Sequence, residues 1–152
     1  MLNKLNDFFS TLITPANDAQ QPEHTLQLAT AVLMIEVMRA DAESSETELA
    51  TVMRLLKQRF QLSDSEVQQL SALGQQTAQH TTDLYQFTSL LNRELSREEK
   101  GRLVEYMWQV AYADRHISAH ENHLMRRMTD LLHISQSDYI AAKMRAKPAN
   151  ME

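Results

Sequence analysis

The sequence predicts an all-α protein: a single-domain bundle of about seven to eight helices built from two pseudo-symmetric helix-loop-helix repeats. Three observations lead there. The 152 residues include only two glycines and three prolines, whereas a sheet calls for Gly-rich turns and β-branched runs. Ser followed three residues later by Glu or Asp recurs along the chain, and in that pattern each side chain satisfies an N–H group that a starting helix leaves open. The third observation is a duplication. Ala40-Asp41-Ala42-Glu43-Ser44-Ser45-Glu46-Thr47-Glu48 aligns without gaps on Ala113-Asp114-Arg115-His116-Ile117-Ser118-Ala119-His120-Glu121, 73 positions further on, so Ala, Asp, Ser and Glu recur at one spacing.

Residues 2 to 13 place Leu2, Leu5, Phe8, Phe9, Leu12 and Ile13 on one helical face. Thr14-Pro15-Ala16-Asn17-Asp18-Ala19-Gln20-Gln21-Pro22 then reads as a linker. Next comes a helix near 22 to 40, so rich in apolar residues from Leu26 to Met38 that it belongs at the centre of the fold. The pairs Ser45/Glu48 and Ser63/Glu66 open helices near 46 to 60 and 64 to 79. The first of these carries Leu49, Val52, Met53 and Leu56 as a single stripe, which suits an outer helix packed on the central one.

A connecting helix near 83 to 93 carries the stripe Leu84, Phe87, Leu90, Leu91. Ser96/Glu99 opens a second central helix near 97 to 113, with Leu103, Val104, Tyr106, Met107, Trp108, Val110 and Ala111. Ser118/Glu121 and Ser135/Asp138 open helices near 119 to 132 and 136 to 145. Leu62-Ser63-Asp64-Ser65-Glu66 matches Ile134-Ser135-Gln136-Ser137-Asp138 with a one-residue slip, placed where a turn can absorb it. The chain therefore divides into an amphipathic segment (1–14), a linker (15–23), one helical domain (24–145) and a disordered tail (146–152).

Composition excludes several functions. A net charge of −5, with no local run of Lys and Arg, argues against nucleic-acid binding, which needs a basic face to release phosphate counterions. The chain has no cysteine, which removes disulfides, thiolate zinc sites and cysteine nucleophiles together. No secretory leader and no spanning segment is legible, so a cytoplasmic location is expected. Two glycines cannot build a phosphate loop or a dinucleotide fingerprint, and no G-x-S-x-G elbow occurs. A hydrolytic pair of carboxylates is the weakest alternative.

The candidate site is the pair of acidic loops. Asp41, Glu43, Glu46 and Glu48 in the first, with Asp114 and Glu121 in the second, are hard oxygen donors, and carboxylates held together are stabilised by a divalent cation. Ca²⁺, Mg²⁺ or Mn²⁺ suits such ligands; Zn²⁺ suits them less. Helix capping and the helix dipole supply a plainer reason for Glu48 and Glu121. The loops are not EF-hands, since the Asp-to-Glu spacing is too short and the central Gly is missing. His116, His120 and His123 read as a solvated face: His120-Glu121-Asn122-His123 is one residue short of the zinc-peptidase spacing.

Two buried helices that each run into Ala-Asp, then a short loop, then Ser-x-x-Glu, resemble the TerB (tellurite-resistance) family over roughly residues 24 to 145. The resemblance implies a compact helical domain with a divalent-metal site between the repeats, carried here by Asp41, Glu48, Asp114 and Glu121. It also implies a bacterial stress-related role exerted by binding rather than catalysis. Ala42 and Arg115 stand where the family usually has Gly after each Asp. An unknown protein partner is expected. The alternative is a structural adaptor that docks a partner, or a membrane surface, through residues 1–13.

Overall fold

A computed structural model describes residues 21–40, 46–81, 83–113 and 117–148. Seven α-helices and no strand occur among them: α1 (Gln21–Ala40), α2 (Glu46–Phe60), α3 (Asp64–His80), α4 (Tyr85–Glu94), α5 (Arg97–Ala111), α6 (Ala119–Leu131) and α7 (Gln136–Ala146). The protein is all-α, as its composition implies. The expected helix over 2–13 and most of the linker lie outside the described residues. α1 already begins at Gln21, since Pro22 lacks an N–H that a first helical turn leaves unbonded anyway.

Three of the five Ser-led starts form the full reciprocal cap: Ser63 with Glu66, Ser96 with Glu99, and Ser118 with Glu121. Ser45 lies outside the described residues. The fifth start departs from the expected pattern. Ser135 Oγ accepts the N–H of Asp138 at 3.2 Å, but the shorter Asp138 side chain turns its carboxylate to Arg97 on α5.

The core forms around α1 and α5. From Ala29 to Met38 every residue of α1 except Glu36 is buried, and Leu103, Val104, Met107, Trp108, Val110 and Ala111 of α5 are buried with them. α1 is the hub, in contact with every helix from α2 to α6, while α7 packs mainly on α5. Leu26, Leu28 and Tyr106 are only half-buried at the margins of this core. Val52 and Leu56 of α2, and Met125, Met128 and Leu132 at α6, seal its outer layers. Burial of this kind contributes roughly 1.5–3 kcal/mol per large apolar side chain before ordering entropy is counted.

Polar contacts fix how the helices meet. Arg39 donates to Glu36 at 2.8 Å and to the carbonyl of Ala78 at 2.7 Å, which ties α1 to the end of α3. Asn92 donates to the carbonyl of Leu131 at 2.9 Å, which ties α4 to α6. The turns after α2 and α6 share one geometry. Gln61 and His133 adopt left-handed φ values of 52° and 56°, and the next N–H groups, of Leu62 and Ile134, reach back to the carbonyls of Lys57 and Thr129 at 3.1 and 3.0 Å.

Trp108 is buried beside Tyr112 and Tyr139, with ring centroids 5.8 and 5.6 Å away. Lys143 Nζ of α7 lies 4.8 Å from the indole centroid, so a cation covers the ring face. Burial raises the phenol pKa of Tyr112, and also that of Tyr139, where Arg126 opposes the shift.

Candidate functional site

The helices that enter and leave the two acidic loops pack on one another. α1 meets α2, α5 and α6; α5 meets α2 and α6. The second helix of each proposed unit therefore lies against the central helix of the other. At the start of these second helices stand Glu48, in the first turn of α2, and Glu121, in the first turn of α6. Both are fully buried, with no exposed surface.

Glu121 is placed by its cap. Its Oε1 accepts the N–H of Ser118 at 2.9 Å while its own N–H donates to Ser118 Oγ at 3.1 Å. Capping does not explain the burial, however. Glu66 makes the same reciprocal cap and is exposed, and Glu99 makes it with its side chain 41% exposed. A capping glutamate needs only the backbone edge of a helix, whereas full burial removes a carboxylate from water and requires polar or cationic compensation.

The other two predicted ligands, Asp41 and Asp114, lie outside the described residues, as do Glu43 and His116. The structure places Glu48 and Glu121 at matching positions, and it leaves Glu46 exposed at the start of α2. His120 and His123 are exposed on α6, in agreement with a solvated face. Among the described residues no group of three or more His, Asp or Glu side chains comes close enough to hold a metal ion. Any complete ligand set must therefore draw on the loop residues themselves. The donor chemistry of Glu48 and Glu121 fits a hard divalent cation, since each ionised carboxylate offers two oxygens with several lone pairs.

The helical fold and these two buried glutamates define an all-α domain whose most distinctive polar groups sit where its two loops join their second helices. Residues 27–144 match the family model described as tellurite resistance protein TerB. The chain belongs to that family. No curated protein and no solved structure matches it. No helix among the described residues is long and apolar enough to cross a membrane.

One feature of the surface had no sequence signal strong enough to reveal it. Three arginines, Arg97, Arg102 and Arg145, line a cleft between α5 and α7. Two of them lie five positions apart on one helix and the third comes from a helix some forty residues later, so no motif joins them. Gly101, in the middle of α5, was the available clue.

Proposed function

We propose that the protein is a non-enzymatic, cytoplasmic binding module of bacterial stress responses, and that its two acidic loops share a divalent cation. The two units are related by a pseudo-two-fold axis in this reading. Asp41 and Glu48 supply one half of the ligand set, and Asp114 and Glu121 the other. Ca²⁺, Mg²⁺ or Mn²⁺ fits these oxygens. A bound cation would cross-link the loops, and a protein partner would read the ordered surface. The tellurite-resistance description of the family supports a role in metal or oxyanion stress.

The observation that carries this reading is the burial of Glu48 and Glu121. Two carboxylates 73 positions apart occupy matching first turns and are both withdrawn from water, while Glu66 and Glu99, which cap their helices as Glu121 does, are not. A cation held by both loops would compensate buried negative charge on each side at once.

The test is thermal unfolding of the chelator-treated protein with Ca²⁺, Mg²⁺, Mn²⁺ or Zn²⁺ added in turn, repeated on Asp41→Asn/Asp114→Asn. A ligand of the folded state at a hundredfold excess over its Kd stabilises by about 2.7 kcal/mol. A cation-specific rise that disappears in the double variant is expected. Absence of a rise with every cation would return the four residues to helix capping and move the function to an adaptor docking through residues 1–13.

A further inference from the structure

Several apolar residues that stay half-buried gather in one place. Leu26 of α1, Phe60 at the end of α2, Leu95 just before α5 and Tyr106 within α5 are each half-buried, and with buried Leu103 they line a single groove. Leu26 and Tyr106 belong to the two helices whose apolar surface suits only the centre of the fold, yet the described residues leave both partly uncovered.

The groove offers little polar competition for an apolar cover. Arg59 Nη2 already donates to Glu99 at 3.4 Å, and the Thr30 hydroxyl donates to the carbonyl of Leu26 at 2.8 Å. Arg97 opens α5 and Tyr106 stands nine positions later, so the groove follows this helix for about 13 Å.

Residues 1–13 carry an apolar face of matching length. Leu2, Leu5, Phe8, Phe9, Leu12 and Ile13 fall on one side of a helix, and twelve helical residues extend about 18 Å. Lys4 and Asp7 are the only charged side chains there. They are opposite in sign, so the segment brings no net side-chain charge to a rim whose Arg59 and Glu99 are already balanced. One lysine is too little to draw such a helix to anionic lipid.

The covalent tether selects this groove over a separate partner. α1 begins at Gln21, and Leu26 stands five positions further on, about 7.5 Å along the helix. Residues 14–20 can span up to about 25 Å, enough to bring residue 13 back to the groove. A short tether holds its segment at an effective concentration of roughly millimolar. An apolar contact too weak to hold a free peptide therefore still forms within the chain.

We propose that residues 1–13 dock as an amphipathic helix in this groove of their own chain, with their apolar face against Leu26, Phe60, Leu95 and Tyr106. The docked helix completes the cover over α1 and α5, and it withholds its stripe from other surfaces until it is released. None of these residues belongs to the candidate cation site, so the two readings stand or fall separately.

The chain has no cysteine, so Ser10→Cys, off the apolar stripe, takes a single nitroxide on the ¹⁵N-labelled full chain. Paramagnetic broadening is expected at the amides of Phe60, Leu95 and Tyr106, with most other helical amides spared. Phe8→Ser/Phe9→Ser in the same labelled chain should abolish that broadening and leave α1–α7 folded, because neither position belongs to those helices. A mixture of nitroxide-bearing ¹⁴N chain with nitroxide-free ¹⁵N chain should show none. Broadening of the groove in the mixture would make a second copy the occupant, and its loss on adding phosphatidylglycerol vesicles would make the partner a lipid surface. Either result overturns the proposal, as does broadening that misses the groove or survives the double substitution.

Discussion

Gly74 of α3 faces Ile35 of α1 across a gap too small for a methyl group: a Cβ on Gly74 would stand 2.7 Å from Ile35 Cδ1 and 3.3 Å from Ala31 Cβ. Ile35 is fully buried, so turning its Cδ1 aside would disturb the packed core around it. Overpacking of this kind costs about 1–3 kcal/mol, against a gain of about 1 kcal/mol from replacing a mid-helix glycine. Gly74→Ala is expected to lower stability by about 1 kcal/mol, measured as a reduced urea midpoint with unchanged slope. A midpoint above wild type would show that α3 can move off α1.

Gly101→Ala should have the opposite sign. Its new methyl meets open space beside Arg145, so only the helix-propensity gain of up to about 1 kcal/mol remains. The same urea experiment decides it, and a loss of stability would mean that the backbone of α5 needs the glycine.

Much of the fold was legible because helix starts and apolar faces are local properties. The Ser63/Glu66, Ser96/Glu99 and Ser118/Glu121 caps formed as their spacing implied, and α1 and α5 took the centre because their apolar residues leave too few polar faces for any other place. Gln27 and Thr30 are buried in α1 while Leu26 and Leu28 are only half-buried, a rotation decided by neighbours and invisible in hydrophobicity alone. At Ser135 the cap was only half made because Asp138 met a partner 41 positions away. The burial that separates Glu48 and Glu121 from ordinary capping glutamates is likewise tertiary, as is the cleft of arginines.

Glu121→Gln separates capping from cation binding. Glutamine can keep the reciprocal cap with Ser118 while it removes the buried charge, so the chelated variant should stay within about 1 kcal/mol of wild type yet lose the thermal rise produced by the cation. Ser118→Ala should do the reverse, costing about 1 kcal/mol and keeping the rise. If both variants respond to the cation like wild type, Glu121 is not a ligand.

Acid should weaken the α5 and α7 region. The hydrogen bond from Arg97 holds the Asp138 carboxyl below its ordinary pKa, and the Ser96 N–H, chief among several causes, does the same for Glu99. A carboxylate whose pKa is lowered by folding stabilises fully above its unfolded value, and the benefit is lost as pH falls through the folded one. Glu36 runs the other way, because burial raises its pKa and outweighs the opposing effect of Arg39. Urea midpoints taken between about pH 6 and about pH 2 should fall less steeply in Asp138→Asn than in wild type. An identical slope would remove Asp138 from the acid response.

The aromatic cluster gives the molecule its own light source. Trp108 is the chain's only tryptophan; it lies in the last turn of α5, stacked near Tyr112, which leads into the second acidic loop, and near Tyr139 of α7, which forms one side of the arginine cleft's helix pair. A single buried indole thus touches both the residue that leads into the second acidic loop and the packing of α7 on α5, with Lys143 as a charged neighbour whose displacement would change its emission. Intrinsic fluorescence can therefore follow rearrangement at that loop or at α7 in the unlabelled protein, without a reporter dye that would perturb what it measures.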